Sequence, residues 1–152
     1  MKRLIVLGAI WAMSCSDASA PLVSSDLVTG DAILNPLTSA PGDSAVGEQV
    51  FVDRERGHCV LCHVVEGLEA EFQGNVGPDL SDIGNRLDEG QLRLRIVDYQ
   101  IVRPGTVMPS YYRIHDLYQV EADYGGTPIL TPKEVEDLVS YLSAQAVKPN
   151  DG

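Results

Sequence analysis

The chain has 152 residues, enough for one domain of modest core with a leader ahead of it. Its formal net charge is −11, which sets aside nucleic acid and anionic membrane surfaces as partners and suits a partner with a basic face. Of three cysteines, only Cys59 and Cys62 lie beyond the leader-like start, so counting excludes a disulfide framework.

Residues 1–20 read as an export signal. Lys2 and Arg3 give the positive start, and "LIVLGAIWAM" (4–13) is an apolar stretch too short to span a bilayer. "ASA" at 18–20 resembles a small-residue cleavage site, although Pro21 hinders cleavage there. Lipidation at Cys15 is the alternative, with "AMS" ahead of it a poor match. A retained core helix conflicts with the charged start and the polar stretch that follows. Beyond this segment no run is long and apolar enough to predict a membrane span.

Residues 21–42 are rich in Ser, Thr, Gly and Pro and predict an extended N-terminal arm. The domain proper is expected over 43–147. Asp43 or Ser44 caps a helix predicted to run to about Arg56, with Val46, Val50 and Phe51 on its apolar face and Gly57 as its stop. Residues 66–80, with three glycines and Pro78, predict a loop. Asp88 and Gln91 cap a helix through "LRLRIVD", although the alternation there is also strand-like. "RPGTVMPSYY" (103–112) must be loop. The clearest element is last: Thr131, Pro132 and Glu134 open a helix whose Val135, Leu138, Val139 and Leu142 form one apolar stripe. The expected fold is mostly α with long loops.

The chemistry concentrates in "CVLCH" (59–63). One turn brings both sulfurs to one side, where each thiol can add across a vinyl group of a haem. His63 then carries its imidazole under the iron. Two covalent anchors and an axial ligand in five residues are the pattern of c-type haem attachment. Structural zinc needs four ligands, and only His58 and His115 remain to join Cys59, Cys62 and His63. A thioredoxin-like dithiol needs a preceding strand, where a helix is predicted.

The sixth iron position has one strong candidate. Met108 is the sole methionine after the leader and sits in the proline-stiffened "TVMPSY". A thioether opposite a histidine raises the reduction potential of a haem. His58 and His115 are the alternatives. The carbonyl of Pro78 in "GPDL" is a candidate acceptor for the His63 ring N–H.

In this order "CVLCH", "GPDL", "TVMPSY" and the last helix resemble a class I cytochrome c. The resemblance implies helices wrapped around one haem c, held by Cys59 and Cys62. It implies His63 and Met108 on the iron, Pro78 orienting His63, and Gly47 and Phe51 packed on Leu138, Tyr141 and Leu142. The strings "FQGNVGPDLSDIGNR" (72–86), "LRLRIVD" (92–98), "TVMPSYY" (106–112) and "GGTPILTPKEVEDLVSYL" (125–142) are similar to the SoxX family, the monohaem subunits of the sulfur-oxidising Sox system. That likeness implies a periplasmic electron-transfer subunit paired with a SoxA-type cytochrome and not catalytic alone. The complex would conjugate thiosulfate oxidatively to a cysteine of a SoxY-type carrier, an L-cysteine S-thiosulfotransferase activity, and pass electrons to a downstream acceptor. A free-standing class I electron carrier and a haem sensor with a labile sixth ligand are the rival readings. For Arg93, Arg95, Arg103 and Arg113, contact with haem propionates, a partner face and plain solvent exposure all stay open.

Overall fold

The computed structural model describes residues 22–146. The predicted leader, Cys15 and residue 147 lie outside the described residues. Among these, no helix is long and apolar enough to cross a membrane.

Ahead of the first helix the chain makes a 3₁₀ turn over Ser25–Leu27, a short hairpin and a run of bends, in place of a plain extended arm. Val28–Thr29 (β1) and Ala32–Ile33 (β2) form a minimal antiparallel hairpin, with Val28 opposite Ile33 and Gly30 at φ 62° in the turn. The hairpin packs on the long third helix, and Ile33 is 1% exposed within the core.

Helix α1 spans Ser44–Val52 and starts as expected, with the Asp43 carboxylate accepting from the N–H groups of Ala45 and Val46. It ends at Val52 and does not reach Arg56. Asp53 is extended, and its carboxylate accepts from Glu55 N and Arg56 Nε, both at 2.8 Å. That local bonding competes with another helical turn. Gly57 is therefore no helix stop. A Cβ there would lie 2.6 Å from the Val50 carbonyl and 3.1 Å from Cys59 Sγ, so glycine lets the chain pass close under α1.

Residues 66–80 are loop, and a single helical turn, α2 (Ile83–Arg86), follows. The strand-like alternation of 92–98 resolves as helix. Asp88 and Gln91 make a complete capping box, and α3 runs Glu89–Val102 with a break at Asp98 (φ −160°, ψ 88°). Helix α4, Pro132–Ser143, has the Thr131–Glu134 box, and all four residues of its expected stripe are buried.

Helix α4 is the hub, in contact with α1, α2 and α3. It crosses α1 at Gly47, where a Cβ would overlap the Asp137 carbonyl and lie 2.7 Å from Tyr141 Cβ. Removing the side chain lets the two backbones meet. Beside this crossing the Phe51 and Tyr141 rings pack with centroids 5.5 Å apart at 54°.

Candidate haem site

The turn between α1 and the long loop carries the two cysteines. His58 adopts a left-handed conformation (φ 46°) and opens a 3₁₀ turn over Cys59–Leu61. The N–H groups of Cys62 and His63 both bond to the Cys59 carbonyl, at 3.0 and 2.9 Å. No disulfide joins Cys59 to Cys62. Burial pushes the unmodified Cys59 thiol up to about 12.

The loop returns over this turn and is bonded to it. Gly74 N donates to Val60 O, Gly77 N to Cys62 O and Leu80 N to Val64 O, each at 2.8 Å. These bonds set the Pro78 carbonyl 2.8 Å from His63 Nδ1. A carbonyl only accepts, so Nδ1 is the protonated nitrogen and Nε2 keeps its lone pair. Gly77 makes the approach possible, because a Cβ there would lie 2.6 Å from His63 Nδ1.

Cys59, His63, Met108 and Tyr111 line one cleft. Its remaining walls are apolar: Phe51 from α1, Leu80, Ile96 from α3, and Leu138 and Leu142 from α4. Burial also raises the Tyr111 phenol, with the neighbouring cysteines adding to the effect. The cleft thus combines a thiol, an imidazole with a fixed free nitrogen and a thioether, enclosed by hydrocarbon. This donor set and lining fit a haem held by thioether bonds.

Cys62 is half-buried on the same turn. His58 and His115, the alternative ligands, do not line the cleft. His115 is half-buried, with Nδ1 enclosed and without a hydrogen-bond partner. None of the four arginines lines the cleft. Arg93 pairs with Glu136, Arg95 with Asp31 and Arg113 with Asp98, while Arg103 is exposed.

Two contributors escaped the sequence reading. Gly77 was one of several glycines marking a loop, and its clearance role depends on His63. Asp98 is buried and bonded to the Met108 loop through Ser110. Its signal was an acidic residue within the apolar run "RIVDY".

The cytochrome c family model matches residues 44–146. A comparison with curated proteins finds no match. Among solved structures, a chain of SoxXA from P. pantotrophus superimposes with a TM-score of 0.73 at 30% identity, covering 77% of this chain and 91% of that one. The c-type cytochrome SorU from Sinorhizobium meliloti matches with a TM-score of 0.43 at 25% identity, over 67% of this chain and 88% of that one. The chain belongs to the cytochrome c family, and its cofactor is covalently bound haem c. Within that family it is a SoxX-like monohaem cytochrome c, an electron-transfer domain.

Proposed function

We propose that this chain is the electron-receiving subunit of a SoxAX-type complex that acts in the periplasm. A leader over 1–20 would direct its export, and the cytochrome domain would occupy 43–147. The complex would conjugate thiosulfate oxidatively to a cysteine of a SoxY-type carrier. The catalytic haem would belong to the SoxA-type partner, and this chain would pass the electrons to a downstream acceptor.

One observation carries the site assignment: His63, with Nδ1 committed to Pro78 at 2.8 Å, and Met108 line the same apolar cleft. When bound, the haem supplies a one-electron iron couple. Cys59 and Cys62 would anchor it, and His63 Nε2 and the Met108 thioether would hold its iron. The Pro78 carbonyl holds the imidazole in one tautomer and one orientation. The hydrocarbon walls exclude water, and with His63 and Met108 both holding the iron no position would stay open for substrate. Electron transfer would then need little rearrangement, and substrate chemistry would fall to the partner. The partner assignment draws its support from the likeness to SoxXA, which extends over 91% of that chain.

The test is copurification of the mature protein from its native host. The expected result is a polypeptide heavier than its amino acids by one haem, in a stable complex with a second cytochrome. A haem-bearing monomer would favour the free-standing carrier, and a polypeptide without added mass would end the haem assignment for this chain.

A further inference from the structure

The break in α3 is matched to the loop that carries Met108. Asp98, at the break, is 5% exposed. Just ahead of it the carbonyls of Ile96 and Val97 accept from Tyr111 N and Tyr112 N, both at 3.2 Å. The Asp98 carboxylate accepts from Ser110 Oγ at 2.6 Å and from Arg113 Nη1 at 3.1 Å, residues that bracket the two tyrosines. It also accepts from Gln100 N at 3.1 Å, which restarts the helix beyond the break. Arg113 carries the grip onward, donating to the carbonyls of His115 and Asp116 at 3.0 and 2.8 Å. One buried carboxylate therefore clamps both ends of segment 110–113 onto α3. Between that clamp and Met108 lies only Pro109, whose ring fixes its own φ. Asp98 does not line the cleft, so its influence on the cleft runs through the loop.

We propose that Asp98 is a positioning residue that keeps the Met108 thioether on the iron and so closes the sixth position to outside ligands. The inference rests on the reading of Met108 as that ligand. A loop tied this way returns its thioether after each excursion, and an untied one leaves the position open to competitors. The carboxylate is also fully engaged. Replacing it with an amide removes the charge that holds Arg113 and leaves a guanidinium partly buried beside a neutral group.

The test uses the holoprotein with imidazole on the oxidised form and carbon monoxide on the reduced form, well below the unfolding temperature. Asp98→Asn is expected to tighten imidazole binding at least about tenfold, the usual size of an outer-shell effect on a metal ligand. It should also weaken the far-red absorption of the iron–thioether bond. Ser110→Ala, a milder change that covers a failure of Asp98→Asn to fold, moves both readouts in the same direction. Met108→Ala is the reference. On that background Asp98→Asn should add no further affinity, because the group it positions is gone. If Asp98→Asn and Ser110→Ala lose stability but bind both probes as the wild type does, Asp98 is merely structural and the proposal falls. If Met108→Ala itself binds no better than wild type, the ligand assignment fails instead.

Discussion

At Gly77 a backbone carbon takes the place of a side chain beside the His63 ring. Gly77→Ala would put a Cβ 2.6 Å from His63 Nδ1, so the ring or the loop has to shift. The expected outcome is loss of the Pro78 bond and an axial histidine that leaves the iron about tenfold more readily. Resonance Raman or acid titration of the iron–histidine bond measures it. With Met108 proposed as the sixth ligand, Met108→Ala is expected to lower the potential and let the reduced protein bind carbon monoxide, as redox titration and absorption spectra will record. At this scale the covalent haem was legible, because Cys59 and Cys62 stand at the attachment spacing with His63 next in the chain. Gly77 and Asp98 were not. Each is defined by a neighbour distant in sequence, His63 for one and Ser110 for the other, which local patterning does not encode.

The helix starts were readable and their ends were not. Caps are local, so Asp43, Asp88 and Thr131 each announce a helix that the structure contains. The early end of α1 and the break in α3 arise where Asp53 and Asp98 take part in bonds outside the helix. The α1–α4 crossing makes a direct prediction. Gly47→Ala forces apart two backbones in contact and should cost about 1–3 kcal/mol or more by overpacking, measured by urea unfolding of the holoprotein. The start of α4 makes another. Burial acts to raise the Glu134 carboxyl, but hydrogen bonds from Thr131 N, the Thr131 hydroxyl and Arg56 outweigh it and hold the group below its ordinary 4.5. A depressed folded value means that this stabilisation is present above the ordinary value and is lost as pH falls through the folded one. The wild type should therefore hold a higher Tm than Glu134→Gln at neutral pH, and the gap should close on acidification below 4.5.

Among the ion pairs of the described residues, the best hidden ties several elements together. Arg93 and Glu136 are 2% and 4% exposed, and the guanidinium meets the carboxylate through two nitrogens at 2.7 and 2.8 Å. Arg93 also donates to the Ile33 carbonyl, and Glu136 accepts from Leu37 N, both at 2.8 Å. One ion pair thus joins α3, α4 and the segment ahead of α1. Arg93→Leu strands a buried carboxylate and should cost about 3–5 kcal/mol in denaturant unfolding, and Arg93→Leu with Glu136→Leu should recover most of the loss. The inward turn of this arginine was invisible in the sequence, where its partner lies 43 residues away. The general order of the fold was readable because helix, cysteine turn, loop methionine and final helix follow one another along the chain.

The meeting of α1 with α4 also bears on the sequence of manufacture. A polypeptide leaving the ribosome presents its cysteine turn well before Leu138 and Leu142 exist. The chamber around that turn lacks its final panel until the last helix arrives. A chain that has not yet seated its last helix is therefore still open for prosthetic-group loading at a stage when the finished molecule would be shut.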